Sequence, residues 1–217
     1  DFDCLAALYD AEIRYTDDTL RGLFDRLASI GFLDHAVVIV TADHGEEFGD
    51  HGGLLHRGSL FDELLRVPLI VWGSSVPRGI VADNLVSTLD LAPTILALAG
   101  LPPTPIMAGS DLLSLPAPDP STERVFAQYG SQLYGIRTHR WKLIVGGQWS
   151  NPMLFDLEAD PCERVNVAHS HPEVSTQLLA ELAAWRKRQP RLELAQEPVG
   201  ELPEQAEQQL RELGYVE

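Results

Sequence analysis

The hydrophobic pattern of the first hundred residues predicts alternating helices and strands. Within residues 5–30, apolar side chains recur at the i, i+3, i+4, i+7 spacing of a helix with one buried stripe. These side chains are Leu20, Leu23, Phe24 and Leu27. The runs 36–42 and 67–72 are apolar almost throughout, which is typical of strands buried on both faces of a mostly parallel sheet. With a further helix predicted over residues 91–99, the order indicates an α/β fold whose sheet is flanked by helices.

The pattern changes beyond the proline-rich stretch at residues 115–120. Short apolar runs separated by Gly, Asn and Pro predict a small antiparallel sheet, and they cover residues 124–129, 133–138, 140–145 and 153–157. An amphipathic helix follows over 174–188. We therefore predict an α/β core over residues 1–120, an antiparallel-sheet subdomain with a packing helix over 121–190, and an acidic tail over 191–217 with a short helix at 204–213.

The charge of the chain narrows the choice of partners. Sixteen basic residues stand against 32 acidic ones, for a net charge of −16, which disfavours nucleic acid and anionic membranes as partners. No apolar run approaches the ~20 residues of a membrane span, so none is expected. Cys4 and Cys162 are far apart and form neither a metal-ligand spacing nor a disulfide framework, which leaves the cellular compartment open.

The polar segment 43–58, directly after the first predicted strand, carries the candidate chemistry. Ligands of open α/β sheets gather beyond the carboxyl ends of strands, where Asp43 and His44 are expected. A carboxylate beside an imidazole can hold a divalent cation, and Gly45 permits the sharp turn that lets both face one point. His56 can return to the same place through the glycine-rich loop. The alternative is that Asp43 caps a helix while His44 and His51 lie on a solvated loop.

Two blocks in this region resemble the sulfatase family of the alkaline phosphatase superfamily. They are Thr41-Ala42-Asp43-His44-Gly45-Glu46 and the stretch from His56 to Ile70. Residues 89–96, 135–144 and 154–161 also match family blocks, in family order, and residues 7–13 fit the helix before the metal strand. The resemblance spans about residues 5 to 168 and implies a C-terminal half of a sulfuric ester hydrolase.

The resemblance assigns roles at the matching positions. Asp43 and His44 take the places of two metal ligands, and His56 takes the place of a His or Lys that contacts the ester oxygens or assists the leaving group. Arg57 is a weaker candidate for substrate binding. The metal implied is calcium, with magnesium, manganese or zinc as alternatives. The implied substrate is a small anionic ester.

Other polar residues receive structural interpretations. We expect Glu46, Glu47 and Asp50 to form a helix start and a solvent-facing surface, and His51 to serve the structure of the loop. Arg66, Arg137 and Lys142 are expected to brace the fold through ion pairs. The remaining histidines are interpreted as surface residues: His35, His139, His169 and His171.

The family nucleophile is not found in these 217 residues. Sulfatases mature a Cys or Ser in a Cys/Ser-x-Pro-x-Arg motif to formylglycine, and neither Cys4 nor Cys162 has that context. We therefore expect a missing N-terminal half to supply it and expect this chain alone to be inactive. Two alternatives stay open. One is a phosphodiesterase, phosphonate monoester hydrolase or phosphoglycerol transferase of the same superfamily; the other is an inactive binding or assembly module.

Overall fold

The computed structural model describes residues 2–56, 58–147, 149–189 and 208. The chain divides into two compact units, Asp1–Ala184 and Trp185–Glu217. The predicted helix at 204–213 and the acidic tail lie outside the described residues, except for position 208. The domain boundary near residue 120 stays a prediction.

The first unit opens with a long helix and a two-stranded sheet. Helix α1 spans Phe2–Ser29, and a 3-10 helix over Phe32–His35 leads into strand β1 at Val37–Thr41. After a small hairpin of β2 at Glu47–Phe48 and β3 at Leu54–Leu55, helix α2 covers Asp62–Leu65 and β4 covers Leu69–Gly73. Strand β1 pairs with β4, from Val37 opposite Gly73 to Thr41 opposite Leu69.

The next segment connects this part to the second sheet. Helix α3 spans Leu91–Leu98, preceded by a 3-10 helix at Thr88–Asp90 and followed by another at Leu112–Ser114. Ser87 caps the first of these 3-10 helices: its hydroxyl accepts from the Leu89 amide while Asp90 accepts from the Ser87 amide. The helix predicted at 91–99 is confirmed.

The second sheet is the small antiparallel one that the sequence predicted. Its strands are β5 at Val125–Tyr129, β6 at Leu133–Arg137, β7 at Trp141–Gly146 and β8 at Trp149–Asp156, in the order β5-β6-β7-β8. Helix α4 spans Pro172–Arg188. Its residues Leu178 and Leu182 are 1% and 2% exposed, which confirms an amphipathic helix with one buried side.

The core of the first unit lies between α2 and this second sheet. The cluster of buried side chains contains Leu60, Phe61, Leu133, Ile144, Phe155 and Leu157. Because Leu60 and Phe61 precede α2 directly, the core fixes the end of the polar segment that carries the candidate chemistry.

The mostly parallel sheet is not found: every strand pair among the described residues is antiparallel. An apolar run in the sequence indicates that a strand is buried. Whether two strands are parallel or antiparallel depends on the path of the segment that connects them. The segment between β1 and β4, residues 42–68, contains the β2–β3 hairpin and only a four-residue helix, and it brings β4 back beside β1 in the opposite direction. Burial on both faces is also not observed, since the residues of β1 are half-buried and Thr41 is exposed. No side chain of α1 is buried, so its predicted stripe is at most half-covered.

Candidate active site

The candidate site begins where β1 ends, and Gly45 fixes its backbone. The Gly45 amide donates to the Leu64 carbonyl at 2.8 Å. A Cβ at this position would lie 1.9 Å from the Glu63 carbonyl oxygen, so any other residue would push the loop away from α2. The glycine therefore allows close approach between two backbones, and it holds the neighbouring Asp43 and His44 at the strand end.

Asp43 and His44 form a pair of potential metal ligands. The His44 Nδ1 lies 2.9 Å from the Gly45 carbonyl oxygen. Since a carbonyl can only accept, Nδ1 donates, and the neutral imidazole keeps its lone pair on Nε2. That Nε2 lies 3.7 Å from Oδ2 of Asp43. The two atoms are close enough to serve as ligands of one divalent cation, and a carboxylate with an imidazole is a suitable donor set.

His56 lies beside this pair, as the sequence predicted for a residue returning through the loop. Its ring stacks on the ring of His44, with centroids 4.2 Å apart and planes 22° apart. Its Nδ1 lies 3.4 Å from Oε2 of Glu46. The structure therefore brings Asp43, His44 and His56 together. Arg57, the other substrate-binding candidate, lies outside the described residues.

Glu46 belongs to the site, and its interpretation as part of a solvent-facing helix start is wrong. Residues 44–46 are irregular and β2 follows them. The Glu46 side chain is 18% exposed and faces His56. Its partner lies ten residues along the chain, so helical spacing gave no signal for the contact. The alternation of His44 and Glu46 about a glycine was the one available hint.

Glu47 is also misplaced by that interpretation, because it is 2% exposed. Its Oε1 accepts from the amides of His51, at 2.9 Å, and Gly53, at 2.7 Å. A buried carboxylate that accepts backbone hydrogen bonds stabilises the turn that supplies them. Glu47 therefore shapes the loop between the Asp43–His44 pair and His56.

A second group of possible ligands adjoins this loop. Ligand atoms of Glu47, His51 and Glu63 all lie within 4.8 Å of one another. Hydrogen bonds already use these atoms. The His51 Nδ1 lies 2.6 Å from Oε1 of Glu63, and its Nε2 lies 3.1 Å from the Glu163 carbonyl. In the described contacts, His51 joins the loop to residues from two other parts of the chain, and its expected role in the structure of the loop stays a prediction.

A buried ion-pair network links the region of α2 to the second sheet. Lys142 Nζ, in a side chain 2% exposed, lies 2.8 Å from Oδ1 of Asp62 and 2.7 Å from Oε1 of Glu163. Arg137 donates to Oδ2 of Asp62. The expected ion pairs are found for Arg137 and Lys142, whereas among the described residues none is found for Arg66. Among the other histidines, His139 is not a bare surface residue, because its Nε2 lies 2.6 Å from Oε2 of Glu123.

Burial and charge move the two carboxyl groups of this network in opposite directions. Burial acts to raise the pKa of Asp62, but the charges and hydrogen bonds of Lys142 and Arg137 outweigh it, and the pKa lies below its ordinary value. For Glu163, burial dominates and Lys142 only partly opposes it, so the pKa is raised. Asp62 is therefore the firmly ionised partner of Lys142.

Comparisons with known proteins find that the region containing these residues is similar to a known family. The family model described as Sulfatase matches residues 5–101, a stretch that contains Asp43, His44 and His56. Arylsulfatase K of Bos taurus is 30% identical over 190 residues, covering 80% of this chain and 35% of the relative. The choline-sulfatase of Rhizobium meliloti (strain 1021) is 32% identical over 170 residues, covering 75% of this chain and 33% of the relative. The chain thus spans about a third of the length of these relatives.

Solved structures agree in fold. A protein in complex with its substrate D-glucosamine-2-N,6-O-disulfate has a TM-score of 0.68 at 26% identity, with 79% of this chain and 38% of that chain covered. The phosphonate monoester hydrolase of Agrobacterium radiobacter has a TM-score of 0.69 at 25% identity, with coverage of 80% and 39%. The α/β fold of this chain is therefore similar to sulfatase and phosphonate monoester hydrolase folds.

Proposed function

Since residues 5–101 of this chain belong to the sulfatase family, we propose that the whole protein is a metal-dependent hydrolase of sulfate esters. The observation that carries the proposal is the Asp43–His44 pair, with Oδ2 and Nε2 3.7 Å apart at the strand end inside the matched region. The substrate is proposed to be a small anionic ester.

Asp43 and His44 would hold the divalent cation together with ligands from other residues. Calcium is the proposed ion, with magnesium, manganese or zinc as alternatives, because the set combines a hard carboxylate with an imidazole. When bound, the cation would polarise the ester oxygens and neutralise charge that develops on them. Because the chain has a net charge of −16, it repels an anionic ester, and the site needs a positive charge of its own to bind one.

His56 would contact the ester oxygens. Its ring is held from one side by stacking on His44 and from the other by Glu46, so its orientation is fixed before substrate binds. An imidazole N–H can donate a hydrogen bond to an ester oxygen. We propose that His56 stabilises negative charge at the ester or on the leaving group, with Arg57 as a second substrate-binding residue.

The nucleophile is proposed to come from residues that are not among these 217. A formylglycine requires the Cys/Ser-x-Pro-x-Arg context, and Cys4 and Cys162, both exposed, have no such context. Neither Asp43 nor His56 can replace a hydrated aldehyde in this chemistry. The partner implied for this chain is therefore the remainder of the same protein. No helix among the described residues is both long enough and apolar enough to cross a bilayer.

A phosphonate monoester hydrolase is the second candidate, supported by similarity to two such enzymes at TM-scores of 0.69. Sulfate and phosphonate esters place similar charge near the metal, so the described residues suit both. The two candidates separate on substrate: the whole protein is assayed on an aryl sulfate and on an aryl phosphonate monoester, with and without a chelator. Faster, chelator-sensitive hydrolysis of the sulfate supports the first candidate, and preference for the phosphonate supports the second.

The role of the Asp43–His44 pair is tested by titrating the whole protein with calcium and measuring the binding affinity by calorimetry. We expect Asp43→Ala to weaken binding by more than the ~10–100-fold that outer-shell partners contribute. The control is Asp83→Ala, which removes an exposed carboxylate elsewhere. Equal calcium affinity in both variants would contradict the metal site.

The chain alone is expected to turn over no ester. Metal-dependent hydrolysis by the purified 217 residues would contradict the assignment of the nucleophile.

A further inference from the structure

His51 connects the segment that carries the candidate site to the second sheet. We propose that His51 is a positioning residue: it holds the histidine loop, defined as residues 43–56, in the shape that keeps His56 beside His44. The proposal rests on the proposed function, because it assigns His51 a role in arranging that site, while His51 itself contacts neither candidate ligand in the described contacts.

Three contacts hold the His51 ring. Nδ1 lies 2.6 Å from Oε1 of Glu63, and Nε2 lies 3.1 Å from the Glu163 carbonyl. The face of the ring stacks on Phe61, with centroids 3.6 Å apart and planes 5° apart. Because the carbonyl can only accept, Nε2 is a donor. A side chain that is held at both nitrogens and on one face has a single orientation. The backbone of residue 51 is therefore held in place as well.

The partner Glu163 is itself fixed. It is 2% exposed, its carboxylate contacts Lys142 at 2.7 Å, and it accepts from the Asp62 amide at 2.6 Å. Its backbone has φ of 54°, a conformation that non-glycine residues keep only where their surroundings enforce it. The carbonyl that receives His51 therefore belongs to a rigid anchor rather than to a free turn.

Several contacts hold the histidine loop. Next to His44, the Gly45 amide donates to the Leu64 carbonyl. Farther along, β2 pairs with β3, and Phe48 of this hairpin contacts α1. The His51 side chain adds the contacts that join the turn of the hairpin to α2 and to Glu163. Because His56 directly follows β3, loss of the His51 contacts frees the turn and loosens the hairpin that leads to His56, which permits its ring to move away from His44.

A metal ion at Glu47, His51 and Glu63 is the competing interpretation. Their ligand atoms lie within 4.8 Å of one another, and an ion held by Nδ1 and Glu63 would leave Nε2 on the Glu163 carbonyl. It would, however, replace the direct contact between Nδ1 and Oε1 of Glu63, whose 2.6 Å separation is that of a short hydrogen bond. The geometry therefore favours a hydrogen-bonded anchor over an ion at this cluster.

The test compares three variants of His51 by amide hydrogen exchange in the whole protein. His51→Phe keeps a ring on Phe61 but removes both nitrogens, His51→Ala removes the ring as well, and His51→Gln retains a donor for the Glu163 carbonyl. We expect exchange at residues 44–56 to accelerate about tenfold or more in the first two variants, since hydrogen bonds to charged groups are lost. Partial recovery is expected in His51→Gln. Amides of β6 serve as the internal reference, and His169→Phe, at an exposed histidine, is the matched control.

A second measurement separates positioning from general stability. In the whole protein we expect the metal concentration for half-maximal hydrolysis to rise about tenfold in His51→Phe and to recover in His51→Gln. Unchanged exchange at residues 44–56 in His51→Phe would overturn the proposal, whether or not the protein hydrolyses sulfate esters. If exchange accelerates but no ester is hydrolysed, the anchor stands and the proposed function fails.

A separate experiment tests whether Glu47, His51 and Glu63 bind a metal ion. In the Asp43→Ala background, Mn²⁺ is added and the ring proton resonances of His51 are observed. Selective broadening of these resonances, removed by Glu63→Gln, would show an ion at the cluster and overturn the positioning role. Sharp resonances at Mn²⁺ concentrations that broaden those of His44 in the unsubstituted protein support the hydrogen-bonded anchor.

Discussion

The β1–β4 sheet and the second sheet, β5–β8, differ in how well they cover their own apolar residues. In the second sheet, Leu143, Ile144 and Leu154 are 0% exposed. In the first, Ile70 and Trp72 of β4 are 57% and 44% exposed. The second sheet thus has a complete layer of packing, whereas among the described residues this face of the first is only about half covered.

Helix α1, like the first sheet, leaves apolar side chains exposed. Several large apolar side chains along it and just beyond it are more than 39% exposed, among them Leu8 at 60% and Ile13 at 54%. Exposed apolar side chains mark a site of interaction where they form a contiguous patch. The relatives are about three times as long as the matched part, and the partner proposed above, the remainder of the same protein, is the cover that we expect for these side chains. The candidate site lies between the poorly covered sheet and the well-packed one.

The largest expected effect comes from breaking the charge network on the packed side. Lys142→Ala leaves Asp62 and Glu163 buried without their shared cation, and we expect the free energy of unfolding to fall by about 3–5 kcal/mol. Urea denaturation followed by circular dichroism measures it. The matched control is Lys187→Ala, at an exposed lysine. A loss under about 1 kcal/mol for Lys142→Ala would show that the network does not brace the sheet.

A smaller effect is expected from acid, which acts on one member of the same network. The pKa of Asp62 is lowered in the folded state, chiefly because Lys142 and Arg137 outweigh its burial. A lowered pKa gives stability that is present above the unfolded pKa, near 4, and is lost as pH falls through the folded pKa. The raised pKa of Glu163 acts in the opposite direction, since its stabilising contribution is lost as pH rises.

The measurement is the urea midpoint from pH 6 down to pH 2. We expect Asp62→Asn to be less stable than the unsubstituted protein at pH 6 and to show a flatter decline below about pH 4. The exposed Asp83 supplies the control substitution, Asp83→Asn, which should leave the slope unchanged. Parallel curves for Asp62→Asn and the unsubstituted protein would exclude Asp62 as a source of the acid sensitivity.

The sequence predicted the second sheet well and the first sheet poorly, for physical reasons. Strands β5–β8 are consecutive and joined by short turns, so local punctuation at positions such as Gly130 and Gly147 determines their pairing. The partners of β1 are set by a connection that the apolar run does not encode. Local pattern therefore sufficed where neighbours in sequence are neighbours in space.

The same distinction applies to the site. Asp43, His44 and His56 could be found because they follow a strand and lie within fourteen residues. The role of His51 depends on Glu163, 112 residues away, and no spacing rule relates the two. Glu46 was assigned to a helix that does not form, since β2 and the Gly45 contact with Leu64 take that segment into a tight loop.

The smallest effect on stability is expected for a substitution on the exposed side of α1. It tests most directly whether the two parts of the first unit differ because the remainder of the protein covers one of them. In the 217-residue chain, Leu8→Lys changes an exposed side chain and should alter the free energy of unfolding by no more than about 0.5 kcal/mol. If the remainder of the protein covers α1, the same substitution in the whole protein buries a charge, and the loss should exceed about 2 kcal/mol. Denaturation of both forms, with exposed Arg14→Ala as the control on the same helix, gives the difference. Equal and small effects in both forms would mean that the apolar face of α1 stays open in the whole protein, and its cover would then have to be sought in another chain.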